Sequence, residues 1–344
     1  MGEPRTDLYT FSLRTLVVVG ITALVATVLL LAWSVSHVLL LIFAGALLAV
    51  FLRGVARFLH RHAHLPWSWS LALVIGALLV LLIATAWTYG PSIAQGIDDL
   101  VQRVIEAVEA LRSRLHAYPW GRKVLEFLAQ RDASMPNVVP TIMGIFSSAL
   151  GGITAVLAIF FFGVYISADP DLYARGLVRL VPPRGRDRAR EVLAHVERTL
   201  RWWLVGRLSS MALVGLLTWA GLLVLQIPLA TTLAIVAALL SFVPYIGPIV
   251  SAVPAILVAL GESPHAALSV LALYIAIQTI ESYLITPLIQ ERAVSIPPAL
   301  LLGVQLIMGL LFGILGVLIA TPFAAAMLVL VNTLYVDDVL ENSR

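Results

Sequence analysis

The sequence predicts an all-α, polytopic membrane protein: a bundle of about eight transmembrane helices, one of them broken, with an amphipathic outer helix and an interfacial cytoplasmic helix. Three observations predict this fold. Apolar residues make up 60% of the 344 residues and charged residues only 12%, against roughly 25% charged residues in soluble domains. Long charge-free runs recur along the chain, and most Lys and Arg residues lie on one set of flanks between them. We expect a single membrane domain over residues 1–344.

Eight apolar runs, seven of them free of charged residues, have the length of a membrane span, since about 20 apolar residues in a helix cross a hydrocarbon core of about 30 Å. These runs are Thr15–Trp33, Ser36–Leu52, Ser68–Tyr89, Pro140–Ser167, Leu208–Gln226, Leu229–Leu260, Ala266–Ile289 and Pro298–Tyr335. Cytoplasmic flanks of membrane spans are enriched in Lys and Arg. An amino terminus inside the cell places most of the 22 basic residues inside. We therefore expect both termini in the cytoplasm.

Two segments between the spans are amphipathic. Residues 91–139, expected to be extracytoplasmic, begin with a stripe of apolar residues at helical spacing from Ile93 to Leu115. We expect an outer helix that packs on its own bundle, with contact to another subunit as the alternative. Residues 168–207, expected to be cytoplasmic, contain a second amphipathic stretch, Asp187–Leu204. That stretch is predicted to lie on the inner membrane surface.

The sequence argues against an enzyme, a metal protein or a nucleic-acid-binding protein. It contains no HExxH, GxSxG or Walker phosphate-loop motif. The absence of cysteine excludes disulfides and thiolate chemistry. His60, His62 and His64 have a spacing of two, which does not place them on one helix face, so a solvated basic turn is favoured over a metal site. We expect no enzymatic activity, no cofactor, no metal and no nucleic-acid partner.

A polar, proline-containing stretch interrupts the sixth run at residues 241–248. Its two prolines remove backbone donors and clash with the preceding helical turn. Carbonyls freed in this way are tolerated in a bilayer only where they are buried in protein or face a watery cavity. Many transporters bind substrates or ions at such broken helices. We therefore assign to the transport pathway Ser241, Pro244, Tyr245, Gly247 and Pro248. The alternative is a kink, or a hairpin of two short helices, that serves only packing.

The seventh run contains Glu281, the only acidic residue inside a hydrophobic run. Gln278 and Tyr274 share its helix face. An acidic residue inside the bilayer costs roughly 2.5 to 3.5 kcal/mol, so it usually lines a polar path or joins a buried pair. We add these three residues to the pathway, together with Thr286 and Pro287, which are expected to break the helix. A structural hydrogen bond from Glu281 is the alternative.

The last run contains a face of small residues, Gly309, Gly313 and Gly316, beside Gln305. Small residues allow helices to approach closely and also to slide past one another. Pro322 is expected to kink the same helix. We assign these five residues to helix packing or gating.

The order and spacing of these motifs resemble the autoinducer-2 exporter family of bacterial membrane proteins. The matching stretches are Phe242–Pro248, Gln278–Glu281, Thr286–Ile289, Pro297-Pro298, Leu311–Gly316 and Ala320–Pro322, with Arg201–Gly206 similar to the start of the family's fifth span. The resemblance implies a homo-oligomeric, pentameric transporter of the bacterial inner membrane that exports small polar molecules, with the quorum-sensing signal autoinducer-2 as the namesake substrate. Some members are described as sodium/proton antiporters, and in those an acid such as Glu281 would carry the proton or cation.

The predicted function is therefore export of a small polar molecule by alternating access, in which the C-terminal helices move against the rest of the bundle. The expected partners are the lipid bilayer, the solute, protons or sodium ions, and further copies of the chain. Two alternatives stay open at this point. One is a sodium/proton antiporter, and the other is a membrane scaffold that transports nothing.

Overall fold

The computed structural model describes residues 6–116, 122–123, 149–290 and 296–341, and every regular element in these ranges is a helix. The longer helices are α1 (Thr6–Ala63), α2 (Trp67–His116), α3 (Ala149–Ala168), α4 (Pro170–Arg179), α5 (Arg186–Val224), α6 (Ala230–Leu240), α7 (Ile246–Glu262), α8 (Pro264–Gln290) and α9 (Pro298–Val331). A short 3-10 helix, Pro183–Gly185, precedes α5, and a π-helix, Asn332–Glu341, follows α9.

Membrane spans can be counted only in the part of the chain that the structure describes. There, five helices, α9 among them, are long and apolar enough to cross a membrane when judged by length and composition alone, or six if α3 and α4, which meet at 88°, form one broken span. The all-helical membrane fold is therefore confirmed, whereas the predicted number of eight spans is not.

Helix α1 joins the first two predicted spans into one continuous helix of 58 residues. At about 1.5 Å per residue it extends about 87 Å, well beyond a hydrocarbon core of about 30 Å. Only Ser34 and Val35 separate the two predicted spans, and neither is a glycine or a proline. Without such a breaker the backbone stays helical.

Helix α2 likewise joins the third predicted span to the start of the outer amphipathic segment. Leu100 and Val104 on its apolar stripe are buried in a core cluster with residues of α5, α6, α7 and α8. The prediction that this stripe packs on its own bundle is confirmed for the described residues.

Helix α5 runs unbroken through the amphipathic stretch and the fifth predicted span. The stretch predicted to lie on the membrane surface is thus continuous with a span, since no proline separates them and Gly206 is accommodated inside the helix. One buried stripe of α5 includes Leu200, Trp203 and Leu204, which pack against α1.

Helices α6 and α7 form an antiparallel hairpin, here named the first hairpin. Ile227 and Ala230, at the start of α6, share a core cluster with Val258 and Ala259, at the end of α7. The chain reverses at residues 241–245, which are the proline-containing stretch that the sequence predicted to break the sixth span. Two helices shorter than a full span therefore replace one continuous span.

The tip of the first hairpin is tightly closed. Tyr245 has a positive φ of 64°, and the Ile246 N–H donates to the Pro244 carbonyl oxygen at 2.7 Å. This is the geometry of a γ-turn, which is rare and strained. A Cβ atom on Gly247 would lie 1.9 Å from the Leu240 carbonyl oxygen, so only glycine fits there.

Helix α9 also reverses, at Gly313, whose φ of 63° and ψ of −144° are not helical. Its two arms, 298–312 and 314–331, lie side by side and are named the second hairpin. A Cβ atom on Gly316 would lie 2.0 Å from the Met308 carbonyl oxygen, a contact impossible in a straight helix. The prediction of one kinked final span is wrong, because the reversal occurs at Gly313 while Pro322 stays inside a helical arm.

The two hairpins insert from opposite ends of the bundle. Helices α5 and α8 are antiparallel, since Ser210 contacts Glu281 while Gly221 lies against Leu273. The first hairpin connects the end of α5 to the start of α8. The second hairpin starts after α8 ends, and its far arm continues into the π-helix, where Asp338 accepts a 2.8 Å bond from Arg188 at the start of α5.

This arrangement predicts opposite sides for two exposed positions, Arg184 before α5 and His265 at the start of α8. The protein has no cysteine, so Arg184→Cys and His265→Cys each introduce a single thiol. We expect a membrane-impermeant maleimide added to intact cells to label only the cysteine at 265. Labelling of both after lysis is the control. Eight full spans would place both positions on the same side, and equal labelling would contradict the hairpin arrangement.

Candidate functional site

The carboxylate of Glu281 lies at the centre of a polar cluster inside the apolar bundle. Its side chain is buried, and three donors point at it. Arg207 Nη1 lies 3.4 Å from Oε1, the Ser210 hydroxyl donates to the same oxygen, and Gln278 Nε2 donates to Oε2 at 3.2 Å. Because one donor is a guanidinium, the cluster contains a buried ion pair between α5 and α8.

Arg207 connects this ion pair to the tip of the first hairpin. Its Nε donates to the carbonyl oxygen of Phe242 at 2.9 Å. That carbonyl lies in the break after α6, where helical partners are missing. Trp203, one turn earlier in α5, packs edge-on against the Phe242 ring with a centroid separation of 5.6 Å. One side chain therefore holds both the acid of α8 and the strained tip.

Gln305 brings the second hairpin to the same tip. It is completely buried, and its Nε2 donates to the Pro244 carbonyl oxygen at 3.2 Å and to the Thr321 hydroxyl at 3.4 Å. Gln305 lies in the arm 298–312 and Thr321 in the arm 314–331. The amide nitrogen of Gln305 therefore joins both arms of the second hairpin to the tip of the first hairpin. The tip is held from α5 by a guanidinium and from the second hairpin by an amide.

Two buried polar atoms of the cluster have no hydrogen-bond partner among the described residues: Arg207 Nη2 and Gln305 Oε1. One is a charged donor and the other an acceptor. The backbone carbonyls that these two side chains hold are only two residues apart, a reach of at most about 7 Å along the chain. Unpartnered buried polar groups are costly, which marks the tip as a place for a further polar group.

Other residues predicted for the pathway also lie at or near the tip. Tyr274 is buried, and its hydroxyl donates to the Ser251 carbonyl oxygen at 3.4 Å. The Ser251 hydroxyl in turn donates to the carbonyl oxygen of Pro248. Ser241 is fully buried and bonds within its own chain turn, whereas Tyr245 is exposed. The structure therefore places most of the predicted residues around one tip.

Thr286 and Pro287 do not break α8, whose backbone remains helical to Gln290. A proline inside a membrane helix removes only one hydrogen bond, and neighbouring groups can compensate. The side chains of both residues lie outside the described part of the structure.

Arg207 and Ser210 are the site residues that the sequence did not identify. Arg207 was counted among the basic residues of a cytoplasmic flank, yet it is buried with 7% of its surface exposed. A signal was present, since Trp203, Leu204, Arg207 and Ser210 recur at the spacing of one helix face. Among residues with described side chains, Arg207 and Glu281 are the two charged ones that are buried.

The chemistry of the cluster is that of an internal ion pair rather than a metal centre. No group of three His, Asp or Glu side chains comes together within the described ranges. The carboxylate has a fixed cationic partner, so it needs no bound cation in this state. A cation or a charged solute that binds the Glu281 carboxylate would have to displace the Arg207 guanidinium.

Known proteins resemble this chain along most of its length. The family model described as "AI-2E family transporter" matches residues 21–335. "Putative transport protein YueF" of Bacillus subtilis is 24% identical over 300 residues, which cover 83% of this chain and 80% of that protein. A "Putative transport protein" of Thermotoga maritima is 27% identical over 286 residues, covering 81% and 85%. "Putative permease PerM" of Escherichia coli K12 is 24% identical over 274 residues, covering 75% and 76%. The chain thus belongs to the AI-2E transporter family, a family of multi-pass membrane proteins.

Proposed function

We propose that this membrane transporter exports a small polar molecule, such as autoinducer-2, and that the solute passes the tip of the first hairpin. The observation that supports this most is the buried network of Arg207, Ser210 and Glu281, in which Arg207 also binds the Phe242 carbonyl at the tip. A bundle built only for packing gains little from a buried ion pair, because desolvation offsets most of the attraction. Polar groups at a membrane helix break are typical of transport sites.

The two hairpins suit alternating access. They reach the same point from opposite ends, so displacing one tip opens the site to one side of the membrane and displacing the other opens it to the other side. The strained turn at Tyr245 supports such a displacement, since strain stored at a site is released when the chain leaves the strained conformation. This geometry supports movement of the C-terminal helices against α5.

Protonation of Glu281 is the proposed trigger. A neutral carboxyl no longer attracts the Arg207 guanidinium, which also holds the Phe242 carbonyl. Loss of the ion pair therefore loosens the tip and frees donors for the solute. An inward proton gradient would in this way drive export.

The test is flux in proteoliposomes with a pH-sensitive dye inside and sodium ions, then organic solutes, added in turn. Glu281→Gln removes the carboxyl group, and we expect the pH-dependent flux of this variant to fall about tenfold or more, within the usual range of coupling free energies. Because that change leaves Arg207 without its counter-charge, the charge-balanced variant Arg207→Gln/Glu281→Gln is measured beside it. An unchanged pH profile in both variants would contradict the proposal.

A sodium/proton antiporter is the second candidate, favoured by the acceptor-rich carboxylate of Glu281 that a cation could reach once Arg207 moves away. The same liposomes separate the two functions. Proton movement on addition of sodium alone indicates antiport, and movement only with an organic solute indicates proton-coupled export. Absence of any flux in the wild type would favour a scaffold that transports nothing.

We also propose the membrane in which the protein lies, its orientation and its assembly, from the distribution of basic residues and the family resemblance. We place the protein in the bacterial inner membrane, with the carboxyl terminus in the cytoplasm and several copies in one assembly. The expectation of a cytoplasmic amino terminus does not fit this fold, because the continuous helix α1 crosses the membrane once and its basic end at residues 60–62 lies on the cytoplasmic side. The arginine-rich start of α5 then faces the cytoplasm, as the distribution of basic residues favours. A pentamer, as the family resemblance implies, is expected in mass measurements of the purified protein.

A further inference from the structure

An apolar groove between α1 and α5 lies apart from the hairpin tips. Its volume is about 340 Å³, and Gly54 and Phe58 of α1 line it together with Arg201, Trp202 and Val205 of α5. This volume falls at the lower end of the usual range for ligand sites. Arg201 is the only charged residue of the lining.

The groove opens outward from the bundle. Phe58 is 63% exposed and Val205 50% exposed, although both belong to helices that span the membrane. The groove begins one turn from the basic end of α1, where His60, Arg61 and His62 lie. It therefore lies where acyl chains meet the headgroup layer.

The charges at the groove leave one positive charge uncompensated. Arg201 is half-buried and forms no hydrogen bond or ion pair with any residue in the described ranges. Arg57, next to Phe58, lies 3.7 Å from Glu197, one turn before Arg201. That pair is neutral, so the guanidinium of Arg201 remains without a counter-charge beside an apolar groove.

We infer that this groove binds one anionic phospholipid, with an acyl chain between α1 and α5 and the phosphate on Arg201. A guanidinium matches phosphate oxygens with paired hydrogen bonds. Basic pockets between membrane helices bind acidic headgroups for the same reason. A second protein copy with an apolar face would cover the groove but would bury Arg201 without a partner, which is unfavourable. This inference does not depend on the transported solute.

Native mass spectrometry of the detergent-solubilised protein tests the inference, with phosphatidylglycerol or phosphatidylcholine added at equal concentration. We expect the wild type to retain phosphatidylglycerol preferentially. Arg201→Gln should weaken that binding by about tenfold or more, the effect of losing one hydrogen bond to a charged group. The control is Arg198→Gln, which removes the same charge from an exposed position on the same helix.

A second variant fills the groove without touching the arginine. A Cβ atom on Gly54 would meet nothing within 4 Å, so Gly54→Leu can occupy the groove and should lose the bound phosphatidylglycerol. Gly76→Leu, at an equally open position of α2, is the control and should retain it.

Three results would overturn the inference. The first is equal retention of both lipids by the wild type, and the second is full retention of phosphatidylglycerol by Gly54→Leu. The third is a smaller assembly mass in Gly54→Leu with unchanged lipid binding, which would assign the groove to contact between copies of the chain.

Discussion

Replacing Arg207 by glutamine is expected to destabilise the protein by about 3 to 5 kcal/mol, because the change leaves the Glu281 carboxylate buried without its counter-charge. It also removes the bond that holds the Phe242 carbonyl at the hairpin tip. Thermal unfolding in detergent, followed by tryptophan fluorescence, measures the effect. Trp203 packs on Phe242 at the tip, but it is one of eight tryptophans, so the emission follows unfolding of the bundle as a whole.

The double variant Arg207→Gln/Glu281→Gln separates stability from function. Two neutral amides can bond to each other and to Ser210, so we expect most of the lost stability to return. Transport coupled to pH should be absent, as in the Glu281→Gln variant, since the carboxyl group has been removed. Arg198→Gln, an exposed change on the same helix, should leave both properties unchanged. A single Arg207→Gln variant as stable as the wild type would show that the ion pair is not formed.

The second large effect, on both stability and transport, is expected for Gly247→Ala. The added Cβ would lie 1.9 Å from the Leu240 carbonyl oxygen, and backbone cannot move aside as a flexible side chain can. Opening the tip to relieve this clash should cost about 3 kcal/mol or more. It should also displace the Phe242 and Pro244 carbonyls from Arg207 and Gln305, so transport is expected to be lost.

Gly261 provides the matched control for this prediction. It lies in the same hairpin, near the end of α7, and a Cβ atom there would meet nothing within 4 Å. Gly261→Ala should leave stability equal or slightly higher, as alanine favours helix. Unfolding temperature and solute flux are measured for both variants. Equal behaviour of the two alanine variants would refute the close approach at the tip.

Hydropathy predicted which residues form helices, but not where two of those helices reverse. The run 298–335 contains no charge before Asp337, so it has the composition of one long span. Its reversal at Gly313 depends on contacts between the two arms, such as Gln305 with Thr321, which no local pattern shows. The break at residues 241–248 was predictable because two prolines and a glycine disrupt a helix by themselves.

The candidate site likewise has one part that the sequence predicts and one part that only the packing of the helices shows. Tyr274, Gln278 and Glu281 share one helix face, and that follows from spacing alone. The partnership of Glu281 with Arg207 joins residues 74 positions apart, and an arginine at a helix flank has the same local signature whether it is solvated or buried. Only the packing of α5 against α8 distinguishes these two cases.

The location of the ion pair affects how easily ions could leak through the protein. The positive charge belongs to α5, the negative charge to α8, and the same guanidinium holds the hairpin tip. Separating α5 from α8 and releasing the tip are therefore one cooperative event, because performing either alone leaves a charge or a carbonyl desolvated and unpaired. A conformation that is open to both sides at once would combine these costs, so we expect the barrier to uncoupled ion flow to reside in the same three groups that we propose to bind the solute.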